Sequence, residues 1–97
     1  MKPVEIHPIA EDEILEAAEY LESKSEGLSD RLLNDFLRVV GRIAEYPESG
    51  FQILGKVRGA RLSDFHYDIV YKIERRRIYI VALAHQSRKP GYWRGRI

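Results

Sequence analysis

The spacing of apolar residues changes at Gly50, and this change restricts the chain to folds that contain both helices and a sheet. Before Gly50, apolar side chains recur every three or four residues, as in residues 10–21 and 28–44. After it, they recur every second residue, as in residues 67–73. The first spacing places apolar groups on one side of a helix, and the second places them on one face of a strand. The sequence therefore predicts an α+β chain.

The first half is predicted to contain a short strand and two amphipathic helices. Val4 and Ile6 alternate with polar neighbours, as in a strand with one buried face. A turn at residues 23–27 separates the two helical patterns, and so short a turn predicts an antiparallel hairpin. A helix-turn-helix DNA reader is less favoured, because most basic residues lie elsewhere. Four glutamates of the first helix are expected to face solvent: Glu13, Glu16, Glu19 and Glu22.

The second half is predicted to supply the remaining strands. Residues 51–62 include two glycines and are expected to form one irregular strand or a bent pair. Residues 78–84 are apolar on both faces, which predicts a central strand covered on both sides. The predicted fold is α+β in the order β-α-α-β-β-β, with a small, mostly antiparallel sheet packed against the helical hairpin. A single domain over residues 1–97 is expected.

Missing residue types exclude several kinds of chemistry. The chain has no cysteine, which excludes disulfide scaffolds, cysteine-ligated zinc and thiol catalysis. Its three histidines are scattered and it has no glycine-rich phosphate motif, so neither a metal nor another cofactor is expected. No apolar run approaches the roughly 20 residues of a membrane-spanning helix, and the N-terminus does not resemble a signal peptide. A cytoplasmic protein without membrane contact is expected.

Charge is divided unevenly along the chain. Residues 1–50 hold 5 Lys and Arg against 12 Asp and Glu, a balance of −7. Residues 51–97 hold 11 against 3, a balance of +8, although the whole chain carries only +1. Two interpretations are open. The halves neutralise each other when they pack, or the second half forms a basic surface that attracts an anion such as nucleic acid.

Residues 85–97 form a basic, aromatic C-terminal tail with candidate functional groups. His85 follows the buried strand, and Arg88 lies three residues on. Neighbouring positive charge favours a neutral imidazole that can accept a proton; the alternative is that His85 bonds a backbone carbonyl and fixes the tail. Tyr92 and Trp93 offer flat rings on which bases could stack; the alternative is that Trp93 caps the core.

The arginines of the second half could bind an anion, because the planar guanidinium group can contact two phosphate oxygens at once. The prediction requires these cations, with His85 and the tail aromatics, to converge on one side of the sheet. The predicted target-binding residues are Arg58, Arg61, Arg88, Tyr92 and Trp93.

Several segments, taken in order, resemble the RelE/ParE family of bacterial toxins. They are Arg61-Leu62-Ser63, the strand patterns at 67–73 and 78–83, and the motif His85-x-x-Arg88-x-Pro90-x-x-Trp93. The two preceding helices, with Tyr46-Pro47-Glu48-x-Gly50 at the end of the second, also look like that family. The likeness covers nearly the whole chain.

The resemblance implies a type II toxin that is bound and neutralised by a cognate antitoxin in a toxin–antitoxin hetero-oligomer. ParE-like members poison DNA gyrase, whereas RelE-like members cut messenger RNA on the ribosome without a metal. The His-x-x-Arg tail is more ParE-like. A binding inhibitor of gyrase is therefore the leading interpretation.

Two alternatives stay open. In the first, the protein is a RelE-like endoribonuclease acting on ribosome-bound messenger RNA, with His85 as base, Arg61 and Arg88 holding the phosphate, and Tyr92 as a weak candidate acid. The dense Lys and Arg catalytic set of RelE-like members has no residue-by-residue match here. In the second, the protein is an inactive member that only binds its antitoxin and represses transcription with it.

Overall fold

The chain folds as two helices packed on one face of a five-stranded sheet. A computed structural model describes residues 1–97. The elements are β1 (Val4–Ile6), α1 (Pro8–Lys24), α2 (Leu28–Glu45), β2 (Phe51–Leu54), β3 (Val57–Arg61), β4 (Tyr67–Ile73) and β5 (Ile78–His85), with short 3-10 turns at Pro47–Ser49 and Arg94–Arg96.

The sheet has the strand order β1-β5-β4-β3-β2. β1 is parallel to β5, and the other neighbouring strands are antiparallel. The prediction of an α+β fold with a mostly antiparallel sheet is confirmed. Of the two expectations for residues 51–62, the bent pair is correct, because β2 and β3 form a tight hairpin.

Local signals mark the ends of the helices. Pro8 begins α1, where its missing N–H leaves no hydrogen bond unmade. Between the helices, Gly27 has a φ of 91°, a left-handed conformation that favours glycine. The Glu22 carboxylate accepts hydrogen bonds from the N–H groups of Ser29 at 3.0 Å and Gly27 at 3.1 Å. These bonds close the turn and lower the pKa of Glu22.

Apolar side chains form a core on each face of the sheet, so the prediction that β5 is covered on both sides is confirmed. The core on the helix side contains Ile69, Ile80 and Leu83 of the sheet. The second core contains Val81 and Ala82, which follow one another in sequence yet belong to the same core. Ala82 pairs with Val70 and Ile80 pairs with Tyr71, so Val81 is the extra residue of a β-bulge. The other buried members of the second core are Val57, Val70 and Trp93.

A buried carboxylate fixes the loop between β3 and β4. Asp35 on α2 is 1% exposed. Its Oδ1 accepts hydrogen bonds from the N–H of Ser63 at 3.1 Å and from Arg38 Nη2 at 2.9 Å, and its Oδ2 accepts one from the N–H of Asp64 at 2.8 Å. Three donors satisfy the buried charge and tie the loop after Arg61 to α2.

Neither α1 nor α2 combines the length and apolar character required of a membrane-spanning helix.

Candidate functional site

A groove of about 250 Å³ lies between β2, the start of β4, the end of β5 and the C-terminal tail. We call it the tail groove. Part of the groove wall is formed by Trp93, a buried member of the second core, and by Ala84, which packs against that core. The tail groove therefore lies on the sheet face away from the helices. Its other lining residues are Phe51, Ile53, Asp68, His85, Gln86, Arg88, Lys89, Pro90 and Gly91.

An exposed cation and an exposed aromatic ring stand together at one rim of the tail groove. The Arg61 guanidinium lies 5.8 Å from the centre of the Phe51 ring, and its Nε is 3.5 Å from the Asp68 carboxylate. The Arg61 side chain is 69% exposed and Phe51 is 46% exposed. Gly59 lies opposite Phe51 in the β2–β3 pair, and a Cβ there would overlap the ring. This pair therefore offers a positive charge and an apolar face to a partner.

Arg88 lines the groove together with a second cation, Lys89. Its guanidinium lies 4.0 Å from the centre of the Tyr92 ring, so the charge is held against an aromatic face. Arg88 and His85 also line a cleft of about 200 Å³ between α1 and the end of β5. Arg88 therefore borders both the tail groove and the helix side of the sheet.

His85 is the last residue of β5, and its ring is fixed by neighbours in the tail. Its Nδ1 accepts the Ser87 N–H at 3.1 Å and lies 2.7 Å from the Ser87 hydroxyl. The ring stands edge-on to Tyr67, with 5.1 Å between the ring centres. Because Nδ1 accepts a hydrogen bond, the neutral ring carries its proton on Nε2. The outward nitrogen is then a donor, which suits binding better than proton abstraction.

Arg58 does not join this group. Its Nη1 donates hydrogen bonds to the carbonyl oxygens of Gly50 at 2.8 Å and Glu48 at 3.1 Å. It also lies opposite Tyr71 in the β3–β4 pair, on the helix side of the sheet. The structure therefore does not bring Arg58 together with Arg61 and Arg88, because residues 58 and 61 lie three apart on one strand and point to opposite faces.

The two tail aromatics are less available than expected. Trp93 is 4% exposed and belongs to the second core, so its indole has no free face for a base; the alternative that it caps a core is the one observed. The Tyr92 hydroxyl donates to Glu13 Oε2 at 2.8 Å. Burial, followed by this bond to a carboxylate, raises the pKa of Tyr92 to about 12.

Glu13 and Arg96 are structural partners that the sequence did not indicate. Glu13 was expected to face solvent, but its side chain and that of Arg96 are each 13% exposed. Arg96 Nη1 and Nη2 donate to the two Glu13 oxygens at 2.9 and 3.0 Å. The spacing along α1 could have indicated that Glu13 is partly buried, because it lies about one helical turn from both Ala10 and Ala17, which are buried.

These two side chains also cover an open edge of the sheet. β1 pairs with β5 only as far as Ile80, so the next backbone groups on that edge have no strand partner. The Leu83 N–H donates to Glu13 Oε1 at 3.1 Å, and the Val81 carbonyl accepts from Arg96 Nη1 at 3.1 Å. Side chains from α1 and the tail thus replace a strand and fix the tail across β5.

A helical hairpin packed on one face of a five-stranded, mostly antiparallel sheet defines the class of small α+β proteins to which this chain belongs. The fold is similar to that of a solved structure described as the chromosomal ParDE TA system from P. aeruginosa. That comparison has a TM-score of 0.76 and 11% sequence identity, and it covers 88% of this chain and 96% of that chain. Among curated proteins, none matches this chain.

A family model described as the ParE toxin of the type II toxin–antitoxin system parDE matches residues 4–90. The chain therefore belongs to the ParE toxin family, and the resemblance to RelE/ParE toxins is confirmed. It is the toxin component of a type II system, in which the other component is an antitoxin.

Proposed function

We propose that the protein inhibits bacterial growth by binding DNA gyrase in the cytoplasm through the tail groove, and that a cognate antitoxin neutralises it in a hetero-oligomer. The observation that carries this proposal is the pairing of exposed cations with aromatic rings at the groove, namely Arg61 on Phe51 and Arg88 on Tyr92. Guanidinium groups held on rings are typical anchors of protein interfaces. Gyrase is the target that membership of the ParE family implies.

The acid and the base that a nuclease would need, Tyr92 and His85, are engaged elsewhere, which favours binding over cleavage. The Tyr92 hydroxyl donates to Glu13, and a pKa of about 12 makes it a poor acid near neutral pH. The accepting nitrogen of His85 is occupied by Ser87. Cleavage of ribosome-bound messenger RNA, with His85, Arg61 and Arg88 as catalytic residues, is therefore the less supported alternative.

The test compares two variants that remove the same charge. Arg61→Ala/Arg88→Ala removes the two cations of the tail groove that stand against aromatic rings, Arg61 at the rim and Arg88 in the lining. Lys24→Ala/Arg42→Ala removes two exposed cations of the helices and leaves the groove intact. Induced without the antitoxin, the wild-type protein and the helix variant are expected to halt growth, and the groove variant is expected to be tolerated. The purified wild-type protein is expected to inhibit supercoiling by gyrase, and the groove variant is not.

Other outcomes identify the alternatives. Messenger RNA that is cut after induction, as seen by primer extension, with gyrase unaffected, would support the nuclease. Normal growth together with a stable antitoxin complex would identify an inactive member that acts only in repression. Equal toxicity of the groove and helix variants would overturn the assignment of the tail groove.

A further inference from the structure

A second cationic cleft lies at the other end of the sheet. β4 and β5 run from the tail groove to the turn that joins them, and this turn carries Arg75. Beside it lie Lys56, in the β2–β3 turn, and Lys2, which precedes β1. The three residues come from separate parts of the chain and line one cleft of about 290 Å³. We call it the hairpin cleft.

The charges around the hairpin cleft do not balance. It is lined by four cations, Lys2, Lys56, Arg58 and Arg75, and by two carboxylates, Glu48 and Glu74. The Glu74 carboxylate already bonds Arg77 Nε and lies 3.9 Å from Lys72. Lys56 and Arg75 form no ion pair within the chain, and both are exposed. Like charges that line one cleft repel one another, and a bound anion would relieve that repulsion.

Hydrogen bonds fix the backbone that carries these cations. The Ile73 N–H donates to the Lys56 carbonyl at 3.0 Å, which joins the two turns, and Lys2 Nζ donates to the Glu74 carbonyl at 2.6 Å. Gly55, whose φ of 55° allows the sharp β2–β3 turn, has no neighbouring atom where a Cβ would stand. Ile73 is the apolar member of the lining. A fixed backbone lowers the entropy lost when a ligand binds, because only the side chains have to be ordered.

We propose that the hairpin cleft binds a phosphate group. Arg75 offers a planar guanidinium for two-point contact with phosphate oxygens, and the two lysines add compact positive charges. The cleft volume is near the lower limit of about 300 Å³ for small-molecule pockets. The phosphate group belongs either to a nucleic-acid backbone or to a free nucleotide. This site is separate from the tail groove, and the proposal does not depend on gyrase being the target.

The test uses the full-length protein and two probes, a fluorescent DNA duplex of about 20 base pairs and ATP. Lys56→Gln/Arg75→Gln removes two cations from the hairpin cleft. Lys24→Gln/Arg42→Gln is the matched control, because it gives the same net charge through exposed helix residues. If the phosphate group belongs to nucleic acid, the slope of log K for DNA against log salt concentration is expected to be shallower by about 1.8 in the cleft variant than in the wild-type protein. Each of the two lost phosphate contacts contributes about 0.9 to that slope. The control is expected to retain the wild-type slope.

A nucleic-acid backbone and a free nucleotide are distinguished by which probe the cleft variant fails to bind. Saturable ATP binding by the wild-type protein and the control, lost in the cleft variant, would identify a nucleotide site. Loss confined to DNA would identify a backbone contact. Equal binding of both probes by the two variants, or no saturable binding by the wild-type protein, would overturn the proposal. Circular dichroism of each variant checks that the fold is intact.

Discussion

Glu13 and Arg96 form a two-point ion pair that joins the first helix to the end of the chain, with N–O distances of 2.9 and 3.0 Å. The same carboxylate accepts a hydrogen bond from the Leu83 N–H, and the same guanidinium donates one to the Val81 carbonyl. One pair of side chains thus connects α1, β5 and the tail. The tail in turn supplies Trp93 to the second core and Arg88 to the tail groove.

Removing the charge of Glu13 is expected to destabilise the protein. Glu13→Gln leaves Arg96 largely buried without its counter-ion, and we expect the free energy of unfolding to fall by about 3 kcal/mol in urea denaturation. Glu16→Gln, an exposed change on the same helix, is expected to cost less than about 0.5 kcal/mol. Equal losses in the two variants would show that the ion pair contributes nothing specific.

The Tyr92 hydroxyl is expected to make stability fall at alkaline pH. Its pKa rises from 10.0 to about 12 in the folded chain, so the unfolded chain loses this proton first as pH increases. The stabilisation is fully present below pH 10 and is lost as the pH rises toward 12. Unfolding measured from pH 9 upward should show a shallower decline for Tyr92→Phe than for the wild-type protein. Some decline remains, because burial also raises the pKa of Tyr67 and of Tyr71.

Asp35 is expected to control the order of the β3–β4 loop. Asp35→Asn replaces a charged acceptor of three hydrogen bonds with an amide whose NH₂ group must face other donors, and we expect a loss of about 2–3 kcal/mol. Hydrogen exchange at the Ser63 and Asp64 amides is expected to accelerate more than exchange in β5. Asp30→Asn on the exposed side of α2 is the control. Unchanged exchange at Ser63 and Asp64 would contradict this assignment.

Substitution by alanine is expected to destabilise the protein more at Gly50 than at Gly59. A Cβ at Gly50 would lie 2.6 Å from the Gly59 carbonyl oxygen and would overlap the Tyr71 hydroxyl, which donates to Pro47. Because the carbonyl belongs to the sheet backbone, Gly50→Ala is expected to cost about 2 kcal/mol or more.

A Cβ at Gly59 meets only the half-exposed Phe51 ring, which can swing aside. Gly59→Ala is therefore expected to cost less than about 1 kcal/mol and to weaken growth inhibition, because Arg61 loses its aromatic partner. Thermal unfolding and a growth assay separate the two effects. Full toxicity of Gly59→Ala would remove Phe51 from the binding surface.

The helices and strands were predictable because their signals are local. The helical spacing before Gly50 and the alternation after it predicted both helices and the strands β4 and β5 at nearly the observed positions. The division of residues 51–62 stayed ambiguous, because glycine is compatible with a turn and with a strand. The register shift at Val81 and Ala82 was not predictable, since a segment that is apolar on both faces has no alternation to disturb.

The sequence by itself determined the order of the elements, the separation of acidic and basic halves, and the family, because these depend on residues near one another along the chain. Only the tertiary structure decided which polar groups are free. Arg58 and Arg61 are near neighbours on one strand, yet one binds backbone carbonyls and the other stands exposed beside Phe51. Glu13 and Glu16 share a helix, yet only Glu13 lies opposite the open edge of β5. The physical reason is that a polar side chain becomes structural when an unpaired backbone group or a counter-ion from a distant segment lies within hydrogen-bond reach, and the pattern of one segment does not contain the position of another.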